Sequence, residues 1–202
     1  SRFTNSLVYD GGICKRLKHK VFISYHHAND EEYKKKFVET FGKIFDGFID
    51  KSVSVGDIDS NLKTETIRQK IRDDFISDAT VTIVLIGAET WKRKHVDWEI
   101  SSSIRETEKN PRTGLIGILL PSYIGITFDA ETLDILPYDK HTIPPRLSDN
   151  IDCGFAKIYE WSENPDEIKK WIHEAFIRRN KINPNNSLAS FVNNRSGEKW
   201  QK

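Results

Sequence analysis

Short, continuously apolar runs recur along the chain and predict the strands of a sheet. Three of them are rich in β-branched residues: VFISY from Val21, VTIVLI from Val81 and LIGILL from Leu115. Such runs are typical of strands that are covered on both faces, as the central strands of a parallel sheet are. Two further strands are predicted over Phe45–Val55 and Phe155–Trp161.

Between these runs, apolar residues recur every three or four positions, which indicates amphipathic helices. The apolar stripes contain Tyr33, Phe37, Phe41 and Ile44; Ile67, Ile71 and Phe75; Val96, Ile100 and Ile104; and Ile168, Trp171, Ile172, Ala175 and Phe176. Capping residues predict the helix starts: Asn29 or Asp30, then Asp59 or Ser60, and finally Asn164 followed by Pro165. Strands that alternate with helices at this spacing predict an α/β fold with a parallel sheet and helices on both faces.

The chain length of 202 residues favours one domain. We predict that residues 20–180 form this domain, after a solvated lead-in over residues 1–19. An Asn-rich tail over residues 181–202 is either docked or partly disordered. Residues 122–152 show no regular period, which predicts a long structured loop beside a site.

Charge and motif content exclude several classes of function. The 31 basic and 30 acidic residues give a net charge of +1, without the electrostatic footprint of a nucleic-acid binder. No apolar run has the length of a membrane-spanning helix, and the first residues lack a signal-peptide core, so a cytoplasmic protein without a membrane partner is expected. Cys14 and Cys153 lie far apart, which argues against a structural zinc site. Glycine-rich phosphate-binding motifs and a GxSxG motif are absent.

Candidate site residues follow the predicted strands, because active sites in parallel sheets lie outside the carboxyl ends of the strands. Ser24, Tyr25 and His26 end the first strand. Glu99 lies at the border of the apolar face of the helix after Val81–Ile86. From the pattern alone, an ordinary surface glutamate is the simpler interpretation, and a carboxylate that lines a cleft is the alternative.

Three segments in this order resemble the TIR domain family: VFISYHH, FDGFID and SDATVTIVLIGAETWKRKHVDWEI. The segments VLIGAETW and IPPRLSDN are most similar to the TIR-like subunit of the bacterial Thoeris antiphage defence system. The resemblance covers residues 20–180 and implies a flavodoxin-like three-layer sandwich around a central, mostly parallel five-stranded sheet.

The resemblance also implies an activity and a set of site residues. In catalytic TIR domains a glutamate cleaves NAD at the nicotinamide–ribose bond, and Glu99 matches its position. The matching substrate-binding positions are Ser24, Tyr25 and His26 after the first strand, with Phe45 and Asp46 at the second. The sequence departs from the family at His95, where a tryptophan is usual.

A single carboxylate is enough for this chemistry, because nicotinamide is already a cationic pyridinium in NAD and leaves as a neutral molecule. We therefore expect an enzyme that uses NAD as a substrate and needs no metal or cofactor. The Thoeris resemblance implies a cyclic ADP-ribose-type signal that activates a separate effector protein. The alternative is a non-catalytic TIR module that acts by TIR–TIR association, and a weaker third hypothesis is a flavodoxin-like sensor that binds a nucleotide without turnover.

Overall fold

The computed structural model describes residues 7–10, 13–16, 19–45, 47–49 and 61–201. Its strands, in chain order, are β1 (Leu7–Asp10), β2 (Ile13–Arg16), β3 (Lys20–Ser24), β4 (Gly47–Ile49), β5 (Val81–Ile86), β6 (Gly114–Leu119), β7 (Thr127–Phe128), β8 (Ile135–Leu136) and β9 (Ala156–Glu160). Five of them form the central sheet in the order β4-β3-β5-β6-β9. All four neighbouring pairs in this sheet are parallel. The predicted α/β fold is confirmed.

The helices are α1 (His27–Phe41), α2 (Thr64–Lys70), α3 (Lys94–Ser103), α4 (Pro145–Asp152) and α5 (Pro165–Arg178), and a π-helical turn over Ile71–Phe75 extends α2. Helix α5 begins as predicted, because the Asn164 side chain accepts a hydrogen bond from the Asp166 amide. The described helices are too short or too polar to cross a lipid bilayer.

Two predicted helix starts are wrong. Helix α1 begins at His27, and Asp30, a predicted cap, is a buried residue of its first turn. Helix α2 begins at Thr64, so Asp59 and Ser60 do not cap it; both lie outside the described residues.

Both faces of the sheet are packed, which explains why the strand sequences are continuously apolar. Successive side chains of β5 point to opposite faces. Ile83 and Leu85 therefore pack with α1 and α5, while Val84 and Ile86 pack with α3 and α4. A third cluster forms where Trp98 of α3 meets the apolar side of α2.

The stretch 122–152 contains more regular structure than its sequence predicts. It holds the β7–β8 hairpin, a 3₁₀ turn at Lys140–Thr142, and α4. The spacing of apolar residues does not predict helix α4, because its buried residues include the polar Arg146, Ser148 and Asn150. Pro145 occupies its first turn, where proline lacks only a hydrogen bond that the helix would not make.

Residues 185–200, here called the C-terminal strap, lie along α3 without forming a helix or a strand. The Trp98 indole donates to the Phe191 carbonyl oxygen at 2.9 Å, and the Asn186 side chain donates to the Ser101 carbonyl oxygen at 2.9 Å. Further on, the Trp200 indole donates to the Ile143 carbonyl oxygen at 2.8 Å. The strap thus joins the helix that carries Glu99 to the segment that precedes α4.

Candidate functional site

Glu99 and Ser24 meet inside the protein at the carboxyl end of β3. Ser24 is the last residue of that strand, and its hydroxyl donates to Glu99 Oε1 at 3.0 Å. Glu99 is only 1% exposed and Ser24 is fully buried. The interpretation of Glu99 as a surface residue is therefore wrong.

Burial of a carboxylate lowers the stability of the fold, because the group loses its hydration and gains few hydrogen bonds in return. Buried charged groups are frequent at functional sites, where the charge acts on a ligand. Glu99 also lies at the carboxyl ends of the strands, where parallel α/β proteins bind ligands. Its burial also means that a ligand reaches the carboxylate only after the covering groups move.

His95 lies one turn before Glu99 on α3, and it also points inward. Its Nε2 lies 3.0 Å from the carbonyl oxygen of Tyr25, which places a proton on Nε2 of the neutral ring. The imidazole of His27 lies 5.0 Å from that of His95 and 4.4 Å from the Tyr25 ring, measured between centroids. The three rings thus form a row in which the half-buried His27 lies between Tyr25 and His95, and the row ends on the helix that carries Glu99.

Burial lowers the pKa of His95 to about 4, and the neighbouring His27 and Arg93 act in the same direction. Because the unfolded chain has an ordinary histidine pKa near 6.5, it binds this proton at a higher pH than the folded protein. The contribution to stability is therefore complete above about pH 6.5 and decreases, by up to about 3 kcal/mol, as the pH falls towards 4.

We expect His95→Gln to flatten this part of the pH profile, because glutamine also donates to the Tyr25 carbonyl but does not titrate. Urea unfolding between pH 7.5 and 4.5 measures the effect. The difference between the wild-type and variant free energies should shrink with decreasing pH, and a constant difference would contradict the assigned cause.

A second polar cluster occupies the same edge, around Asp30. This carboxyl group is 1% exposed, and burial raises its pKa. The Ser122 hydroxyl donates to Asp30 Oδ1 at 2.8 Å. A Cβ atom added to Gly87 would lie 2.1 Å from Asp30 Oδ2, so only glycine leaves room for this carboxyl group after β5.

His26 is buried beside this cluster, and its lowered pKa has burial as the largest cause and Arg93 as the next. Its Nδ1 has no hydrogen-bond partner within the described structure. A neutral His26 can therefore accept or donate one further hydrogen bond if this edge opens.

Among the other predicted site residues, Tyr25 lies at this edge and Phe45 does not. Tyr25 is buried, and its hydroxyl donates to Glu31. Phe45 comes before β4, at the amino end of the sheet, and stacks on Phe37 at 6.5 Å between centroids. The structure does not bring Phe45 together with Glu99, because β4 starts at Gly47 and Phe45 precedes it. Asp46 and the loop after β4 lie outside the described residues.

The sequence reasoning missed Asp30 and Ser122 as residues of this edge. Asp30 resembles a helix cap, which hides its burial. Ser122 carries a usable signal, because it follows Pro121 directly after a predicted central strand. In the described part of the chain, no group of His, Cys, Asp and Glu side chains is arranged to hold a metal ion.

A parallel sheet of this order has the flavodoxin-like topology, to which TIR-like domains belong, and here it carries a buried glutamate on the helix after its central strand. The model of the family described as Thoeris protein ThsB, TIR-like domain, matches residues 22–123. This range contains both polar clusters, with Ser24 and Glu99 in one and Asp30 and Ser122 in the other. The chain belongs to this family, which implies a role with other Thoeris components in antiphage defence.

Proposed function

We propose that this protein cleaves NAD at the nicotinamide–ribose bond, with Glu99 as the catalytic carboxylate. The observation that carries the proposal is a glutamate buried at the carboxyl edge of the sheet and held by Ser24, in a chain of the Thoeris TIR-like family. Glycosidases generally need a second carboxyl group to protonate the leaving oxygen, but a cationic pyridinium leaves without protonation.

In the proposed reaction the electron pair of the breaking C–N bond stays with nicotinamide, which departs as a neutral molecule. The ribose carbon becomes oxocarbenium-like, and the Glu99 carboxylate stabilises its positive charge. Ser24 is a positioning residue. Its hydrogen bond fixes one oxygen of the Glu99 carboxylate and therefore also sets the direction in which the other oxygen points. No proton transfer is needed in this step.

The fate of the ribose carbon depends on the nucleophile. Water gives ADP-ribose, whereas attack by a hydroxyl of the same ligand closes a ring, and the hydroxyl proton is released. The burial of Glu99 supports a water-poor site and therefore the cyclic product. We propose that this product is a signal that activates a separate effector protein.

The same burial supports low activity in the resting protein. If the site must open before NAD enters, NAD binds only to the fraction of molecules in the open state. A stimulus that favours opening therefore raises turnover. Phage infection is the stimulus that family membership suggests.

The test is mass spectrometry of nucleotides from cells that express wild type or Glu99→Gln, with and without phage. A species with the mass of cyclic ADP-ribose, or a loss of NAD with a gain of ADP-ribose, should appear only in infected wild-type cells. Identical nucleotide pools in cells that both variants still protect would reject catalysis and favour a non-catalytic TIR module.

A further inference from the structure

Residues 124–136, here called the apolar arm, expose an unusual amount of hydrophobic surface. Among the described residues, the large hydrophobic side chains that are exposed are those of the arm and Val192. Five side chains of the arm are between 62% and 79% exposed: Ile124, Ile126, Phe128, Leu133 and Ile135. Exposed apolar patches of this density mark interaction sites on proteins that are otherwise well packed.

Two of the exposed side chains share one face of the β7–β8 hairpin, because the register pairs Phe128 directly with Ile135 on the neighbouring strand. Ile124 and Ile126 lie in the segment that leads into β7, and Leu133 lies in the segment that leads into β8. Polar Thr127 is paired with Leu136 and belongs to the other face.

Hydrogen bonds at both ends hold the arm in shape. At its base, the hydroxyls of Tyr123 and Thr142 lie 2.6 Å apart, and the Asp139 amide donates to the Tyr123 hydroxyl at 3.1 Å. At its turn, Asp129 Oδ1 accepts from the amides of Glu131 and Thr132, at 2.8 and 3.0 Å. The apolar face is therefore a preformed surface, which lowers the entropy cost of binding.

We propose that the apolar arm binds the apolar arm of a second copy of this chain, in a two-fold symmetric dimer. The five side chains expose on the order of 600 Å², which approaches the ~800 Å² per partner of a standard interface. The apolar arm can also pair with itself. A two-fold axis through the arm places the apolar side chains of one copy against the apolar side chains of the other.

Charge at the two ends of the arm favours an antiparallel arrangement of the two copies. The turn carries the exposed Glu131 and Asp134, whereas Lys140 and Lys199 lie near the base, where Lys199 pairs with Asp139 at 2.7 Å. A two-fold axis perpendicular to the arm places the acidic turn of one copy over the basic base of the other. The charges then steer the same register that the apolar faces require.

The first test measures the mass of the full chain by sedimentation velocity over a range of concentrations. We expect a monomer–dimer equilibrium in wild type, and Ile126→Lys combined with Ile135→Lys should raise the dimer dissociation constant by roughly 100-fold or more. Val192→Lys is the matched control, since it adds a charge to a similarly exposed apolar residue outside the arm. Circular dichroism checks that the variants fold.

The second test reverses the charges at the two ends. Lys140→Glu should weaken the dimer several-fold, and adding Glu131→Lys should restore it, because opposite charges again face each other. The proposal is overturned if the wild type stays monomeric at every concentration. It is also overturned if the substitutions in the arm leave the dimer dissociation constant unchanged. In the monomeric case, a different protein covers this face.

Discussion

Glu99→Gln is expected to lower NAD turnover about 1,000-fold or more and to leave the protein at least as stable as wild type. The loss corresponds to about 4 kcal/mol of transition-state stabilisation, the size of a removed charge at a preorganised site. Glutamine has the same shape and still accepts the Ser24 hydrogen bond, but it carries no charge for the ribose. The unfolding free energy should rise or stay level, because a buried carboxylate costs more than a buried amide.

Two measurements separate these effects: nicotinamide release in infected cells, where the wild type is expected to be active, and urea unfolding of the purified protein. Ser24→Ala is the graded control, because it leaves the carboxylate in place and removes one hydrogen bond that orients it. This variant should retain more activity than Glu99→Gln and lose about 1–3 kcal/mol of stability. A Glu99→Gln protein that is both active and destabilised would show that the glutamate is a structural residue.

Arg146→Ala is expected to destabilise the fold by about 3–5 kcal/mol. The Arg146 guanidinium is fully buried, and it bonds both oxygens of the buried Asp97, at 3.0 and 3.3 Å. Its third nitrogen donates to the Leu188 carbonyl oxygen of the strap at 2.8 Å. Alanine removes all of these donors, so the buried Asp97 carboxylate keeps the Phe191 amide but loses the guanidinium that pairs with it.

Urea unfolding measures this loss, and Arg112→Ala is the matched control. Arg112 also pairs with a carboxylate, Glu106, at 3.0 Å, but that pair is partly solvated and should contribute less than about 1 kcal/mol. Asp97→Leu combined with Arg146→Met should recover much of the stability, because it replaces a buried ion pair with apolar groups. Similar losses for Arg146→Ala and Arg112→Ala would mean that burial does not govern the strength of the pair.

The sequence predicts the central strands of the sheet well, because they are buried on both faces and only apolar residues suit them. Helix α4 was missed for the converse reason, since its inner side is polar and satisfied by hydrogen bonds from distant segments. Such partners, like Asn185 for Asn150, lie far along the chain and leave no local period. Phe45 was misplaced because an aromatic residue before a glycine does not show on which side of Gly47 the strand starts.

The site was predictable in its location and less so in its state. Strand ends at Ser24 and the helix position of Glu99 follow from pattern and resemblance, and both residues do meet. The near-complete burial of Glu99 does not follow, because a helix-border position is equally compatible with a cleft. Burial depends on how tightly α3 is packed, and residues almost 100 positions downstream take part in that packing.

The C-terminal strap extends the packing around the Glu99 helix beyond the region in which the family is recognisable. Asp97 accepts a hydrogen bond from the Phe191 amide and Trp98 donates one to the Phe191 carbonyl oxygen, across 94 and 93 residues of sequence. Contacts between residues so far apart in the sequence are expected to form late in folding, because the long loop between them must close first. A fragment cut at the end of the matched range, residue 123, would therefore contain the glutamate and lack the contacts that complete its helix. The residues by which the family is recognised and the residues that hold the Glu99 helix in place therefore have different boundaries in the chain.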